Sequence, residues 1–278
     1  MNRIRAGRAS RLCMAAVLCF LAEPALAQMN WDSAPRFAEA DQAYMQRADP
    51  ALLEFARDRY EALYGADPQD WEAAWRLSMT CYYMGGRIAK EKSEKEALYA
   101  EGRDVALQAV KLNPDCAPCQ LLAGINMALY GESVGVVKMI FSLRSIRRHL
   151  RNSLELDPYF AEGAAARTLA TIDQVVPFFL GGSKKRALAY YKRALEIDPN
   201  EPLNYLFYAR FLEKRHEYRS ALSLVERGLA VPRPGPERVE SEHAWDLLKG
   251  LESTLKEELK RETRPFRKVK PGQRKQPR

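Results

Sequence analysis

Two copies of one helical pattern lie 34 residues apart in the stretch Lys184–Pro232, and that offset limits the fold more than any other feature of the chain. Ala187, Tyr191 and Ala194 recur as Ala221, Val225 and Gly228. A helix pair of this size has too little apolar face to stand alone. Small residues at fixed offsets let neighbouring pairs stack into a shared core. The chain is a helical repeat.

The spacing of Tyr205, Tyr208, Ala209 and Leu212 matches the first helix of a tetratricopeptide repeat, and that of Ala187, Tyr191 and Pro199 matches the second. The frame recurs at Ala56, Tyr60 and Leu63, at Gly102, Ala106 and Ala109, and at Ile146, Leu150 and Ser153. Prolines 68, 114, 158 and 199 then end the second helices, because proline cannot continue a helix and drives the residue before it into extended backbone. The predicted fold is all-α, a tetratricopeptide-like array of about four to five helix pairs. After Pro236, the stripe Ala244, Leu248, Leu251, Leu255 and Leu259 predicts a C-terminal capping helix.

The corner prolines are 46, 44 and 41 residues apart before the last repeat closes at 33 with Pro232. The excess falls between the two helices of each pair, around 85–95, 130–141 and 173–183. Equivalent turns of a stacked array share one edge, and insertions gathered there mark a binding edge. The first insert is charged and is expected to extend a helix into solvent. The other two are apolar and contain Val134, Val137, Ile140 and Phe141, then Val175, Phe178, Phe179 and Leu180.

The ends differ from the middle. Four arginines, an apolar run from Leu12 to Ala22 and Ala25-Leu26-Ala27 read as a secretory signal over residues 1–27, cleaved near Ala27–Gln28. The helical-repeat domain is expected over 28–262. A basic tail with little apolar content follows over 263–278 and is read as disordered. Of the net charge of +8, residues 1–27 carry +3 and residues 256–278 carry +7, which leaves −2 between them. A nucleic-acid footprint therefore does not follow from the basic composition, and membrane contact is expected through the tail alone. The chain is expected to be periplasmic.

Catalytic motifs are sparse, and neither a cofactor nor a metal is expected. Cys116-Ala117-Pro118-Cys119 sits at a repeat corner without the βαβ context of a redox fold. It reads as a local disulfide or as buried thiols, with Cys81 as the third cysteine after processing. A thiol oxidoreductase built on Cys116 and Cys119 is the minor alternative. His149, His216 and His243 lack ligand spacing, and His149 is read as solvated or at a groove edge. Arg144, Arg147, Arg148 and Arg151 form a basic helix face, read as solvated, with an anion or lipid contact as the alternative. Tetratricopeptide register places Trp75, Met79, Tyr83, Leu121, Ile125, Leu129, Leu169, Ile172 and Leu206 on first helices, where they either line an apolar concave surface or fill the core. With the two apolar inserts they form the candidate ligand or partner site.

The runs Tyr130–Lys138, Asp157–Arg167 and Val176–Leu188 resemble the T-component of TRAP transporter systems, over roughly Trp71–Pro199. The resemblance implies an exported, non-enzymatic repeat protein that can oligomerise and dock a periplasmic solute-binding protein carrying a hydrophobic or carboxylate ligand. Regulators of microtubule dynamics share a similar block, and the secretory signal argues against that branch. The second reading is a generic tetratricopeptide scaffold for cell-envelope assembly.

Overall fold

The computed structural model describes residues 34–262, so the secretory signal and the basic tail lie outside the described residues. All regular structure among these residues is helical. The elements are α1 (Ala38–Met45), α2 (Pro50–Ala66), α3 (Trp71–Arg87), α4 (Lys92–Leu112), α5 (Ala117–Val134), α6 (Val136–Leu156), α7 (Ala164–Val175), α8 (Lys184–Ile197), α9 (Pro202–Glu213), α10 (Tyr218–Ala230) and α11 (Val239–Glu262). Helices α3–α4, α5–α6, α7–α8 and α9–α10 are four complete pairs. A shorter pair, α1–α2, precedes them, and α11 caps the array.

The frame read from the sequence is the stacking surface. Ala56, Tyr60, Ala106, Ala109, Ile146, Leu150, Ala187, Tyr191, Ala194, Ala221 and Val225 are all enclosed. Gly228 shows why the frame prefers small residues. A Cβ there would lie 2.8 Å from the Cβ of Tyr205 and 2.9 Å from a methyl of Leu248, so only glycine lets α10 approach α9 and α11 this closely.

The corners share one construction. Asp67, Asn113, Asp157 and Asp198 each take extended backbone before their proline, with φ between −148° and −137°. Their side-chain oxygens accept from the backbone N–H two residues on, at 2.9, 3.2, 2.9 and 2.7 Å. This Asx turn satisfies the amide that the proline corner frees. At the next helix start, Asp70 caps α3 through bonds of 3.1 Å to Glu72 N and Ala73 N, and Glu201 caps α9. Cys116 holds the equivalent place on α5 and is joined to Cys119 in a disulfide.

The array coils until its ends meet. Trp75 of α3 packs edge-on against Phe160, in the turn before α7, with ring centroids 6.5 Å apart. Arg47, just after α1, donates to Glu240 at the start of α11 through Nε at 2.8 Å and through Nη2, and both side chains are fully enclosed. Its guanidinium also lies over the rings of Tyr44 and Tyr83, at 4.9 and 5.5 Å. Of the two readings of the first-helix residues, concave lining or core, the structure gives the core. Trp75, Met79, Tyr83, Leu121, Ile125, Leu129, Leu169, Ile172 and Leu206 are all buried between helices, so they fill the core.

His149 is also placed differently from its reading as solvated. It is buried, and its Nδ1 is 2.7 Å from Gln120 Oε1. Burial and the neighbouring Arg148 lower its pKa, which favours the neutral ring.

Candidate functional site

The inserts leave three phenylalanine rings in solvent. Phe141, Phe178 and Phe179 are 84%, 86% and 72% exposed, the highest values of any large apolar side chain among the described residues. Ile140, Val175 and Leu180, from the same inserts, pack partly against the core. Val137 lies at the start of α6, where side-chain placement is not described.

The loop that carries Phe178 and Phe179 is tightly bonded. Helix α7 ends at Val175, Pro177 opens a single 3-10 turn over Phe178–Leu180, and Gly181 takes φ +84°. Leu180 N and Gly182 N both donate to Pro177 O, at 2.9 and 3.0 Å, and Ser183 N donates to Asp173 O at 2.9 Å. Gly182 is required by close approach, since a Cβ there would fall 1.7 Å from Val176 O. The two rings meet edge-on at 5.6 Å. Ser183 then caps α8 by accepting from Arg186 N.

Asp173 latches this loop to its neighbours. Its buried carboxylate accepts from Arg147 Nη2 at 2.8 Å and from Arg186 Nε and Nη2 at 2.8 and 2.9 Å. Both arginines also donate to Gly181 O. Arg147 belongs to α6, the helix that carries Phe141 six residues earlier, about 9 Å along the axis. Arg147 thus ties the third insert to the helix that follows the turn of the second.

The turn of the second insert is the single residue Gly135, at φ 125° and ψ 153°, a region open essentially to glycine alone. Behind it, Glu132 is half-buried, and burial raises its pKa to about 7 against the pull of Lys95. The charged first insert also frames a shallow cavity of about 610 Å³, lined by Met84, Ile88, Ala97 and Leu98 beside Lys90 and Glu94. Sequence reasoning missed this cavity because the residues at the turn are mostly charged.

A second cluster that sequence reasoning missed lies inside the coil. Ala161 and Glu162 take left-handed backbone, at φ 52° each, and are followed by Gly163 at φ 84°. That turn aims Glu162 O at the buried Arg167, whose Nη1 donates to it at 2.7 Å and to Asn204 Oδ1 at 2.6 Å. Arg238 spans Glu162 Oε1 and Glu201 Oε2, at 3.1 and 2.8 Å, and Ser241 Oγ donates to Glu201 Oε2 at 2.8 Å. Burial, with Glu201 adding to it, raises the Glu162 pKa to about 8. These groups hold the start of α11 against α7 and α9.

The cysteines are enclosed. Cys116 and Cys119 are 5% and 0% exposed, and thiol exchange requires access that such a disulfide lacks. Cys81 is a free, buried thiol whose pKa is pushed up by burial to about 12, with Arg57 Nη1 3.3 Å from its sulfur.

Comparison with known proteins agrees with this architecture. Residues 36–163 match the family Regulator of microtubule dynamics protein 1-3, and residues 127–234 match the family TRAP transporter T-component. The secretory signal expected to exclude the first branch falls in residues 1–27, outside the described residues. No curated protein sequence matches the chain. Among solved structures, the thermophilic TPR protein TTC0263 of Thermus thermophilus superposes with a TM-score of 0.54 at 16% identity, over 75% of this chain and 98% of its own. YrrB, a TPR protein described as having an unusual peptide-binding site, aligns at a TM-score of 0.42 and 14% identity, over 86% of this chain and 98% of its own. The fold is a tetratricopeptide-like helical-repeat array, in which residues 127–234 resemble the TRAP transporter T-component and residues 36–163 resemble Regulator of microtubule dynamics protein 1-3.

Proposed function

We propose that this chain is an exported, non-catalytic binding and adaptor protein that works through its insert edge. The observation that carries this reading is the exposure of Phe178 and Phe179 on a bonded, arginine-latched loop, with Phe141 exposed on the helix that supplies Arg147. Contiguous exposed apolar surface marks an interaction site, and a surface already ordered loses little entropy on binding. The likeness to the T-component supports a place beside a periplasmic solute-binding protein and a ligand that is hydrophobic or carries a carboxylate. The exposed Arg144 and Arg148 on the Phe141 helix suit such a carboxylate. The arginine-led apolar segment before Gln28 supports export.

Phe178→Ala combined with Phe179→Ala tests the reading. The protein purified from the periplasm is examined by native mass spectrometry beside a thermal melt. The expected result is loss of bound ligand or of partner mass with the melting midpoint retained. Unchanged occupancy and assembly would overturn the edge as the binding surface.

A further inference from the structure

We propose that the insert edge docks onto an anionic lipid bilayer, with the three phenylalanine rings entering the headgroup region and the neighbouring lysines and arginines meeting lipid phosphates. This names the partner of the edge and rests on reading that edge as the binding surface.

Charge distribution is the first support. Residues 133–154 contain five lysines or arginines and no aspartate or glutamate, and the same is true of residues 174–195. Residues 28–255 as a whole carry −2, and Arg147 and Arg186 share Asp173, so the cations near the rings that lack an acidic partner within these runs are Arg144, Arg148, Lys184 and Lys185. Arg144, Arg148, Lys184 and Lys185 are all exposed. Phe141, Arg144 and Arg148 stand at i, i+3 and i+7 on α6 and so share one stripe of the helix. Lys184 and Lys185 follow the Phe178–Leu180 turn directly, on the first turn of α8.

The form of the surface favours a bilayer over a protein. The core of a protein interface is depleted in lysine, and its aromatic anchors are enclosed in pockets. Here Phe178 and Phe179 project from a helix-hairpin turn and Phe141 from the second turn of α6, and exposed cations follow each of them. A headgroup layer accepts that arrangement, since aromatic rings settle at the interface and basic side chains pair with phosphate. Binding of this kind grows with the apolar area inserted and with attraction to anionic lipid. Docking would be peripheral, because no described helix is long and apolar enough to cross a membrane. The Asp173 latch holds the Phe178–Leu180 turn against α6, the helix that carries Phe141, Arg144 and Arg148.

The test uses the processed chain from Gln28 onward, with its basic tail, in co-sedimentation with two kinds of vesicle. One is phosphatidylcholine alone, and the other is phosphatidylcholine mixed with phosphatidylglycerol. Binding is expected on the mixed vesicles, with strong weakening by salt and little binding on phosphatidylcholine. Phe178→Ser with Phe179→Ser should weaken it by about tenfold or more, and Lys184→Glu with Lys185→Glu should weaken it by a similar factor. Thermal midpoints, measured alongside, should stay unchanged. Equal binding by wild type and both edge variants would assign the lipid contact to the tail and overturn the proposal. Absence of vesicle binding, with ligand or partner mass still lost in Phe178→Ala/Phe179→Ala, would also overturn it while leaving the adaptor reading intact.

Discussion

In the interior of the coil, Arg47 and Glu240 face each other without solvent, while on the insert edge Phe178 and Phe179 face solvent without cover. The two regions reverse the usual assignment of charged and apolar side chains, for different reasons. Inside, enclosed charges are matched to partners at hydrogen-bonding distance, as Arg76 is to Asp41 and Arg238 is to Glu162 and Glu201. Such pairs add little net stability over an apolar replacement of both partners, while removing one partner leaves a buried charge behind. On the edge, a dense network of bonds holds the backbone while leaving the rings free. The interior sets the shape, and the edge is what that shape presents.

Breaking the interior should have the largest effect. Glu240→Ala leaves Arg47 as an unpaired buried charge and should cost about 3–5 kcal/mol in urea unfolding. Replacing both partners, Arg47→Met with Glu240→Leu, should recover most of that loss. If the single and double variants were equally destabilised, the pair would matter for packing and not for charge.

The pH dependence sharpens the same point. Burial and Glu201 make Glu162 hold its proton more tightly in the folded chain than in the unfolded one. Between the ordinary carboxylate range and about pH 8, the folded state therefore binds more protons, and stability falls as pH rises through that window. One such group gives a slope of at most about 1.4 kcal/mol per pH unit. Urea midpoints measured across the window should show a flatter profile for Glu162→Gln than for the wild type.

A buried but uncharged site separates burial from charge. Cys116→Ser with Cys119→Ser opens a very short loop and should cost at most about 2 kcal/mol in the chain-entropy model. Serine can still cap α5 at position 116. A loss as large as that of Glu240→Ala, read in the same urea experiment, would show that burial alone explains the interior.

The smallest stability effect belongs to the edge. Phe178→Ala and Phe179→Ala should each change unfolding free energy by no more than about 0.5 kcal/mol, as at other exposed positions. A drop of several times that would place the rings in the core and end the comparison.

The repeat frame was legible because it is local. Small residues at fixed offsets and an Asx-Pro corner need no distant partner. The insert boundaries followed from counting residues between prolines. The coiling was not legible. Arg47 and Glu240 are 193 positions apart, and a repeat pattern does not say how tightly its units curl. The inner helices therefore read equally well as groove or core. His149 did carry a local signal, since positions 146, 149, 150 and 153 recur at helical spacing and share the buried stripe of α6. The surrounding arginines obscured it. Glu162 carried none, because its left-handed backbone depends on Arg167 and Asn204 reaching its carbonyl.

The contact between the first and last helices also bears on how the molecule opens. In an open solenoid each repeat touches only its neighbours, so the ends fray independently and unfolding spreads inward. Here, release of α11 would strand Arg47 beside α1, and release of α1 would strand Glu240 on α11. Neither terminus can loosen without a penalty at the other, so fluctuations at the two ends are coupled. Backbone amides near Tyr44 and Ala244 should then exchange hydrogen together, at the free energy of global unfolding and not of local opening.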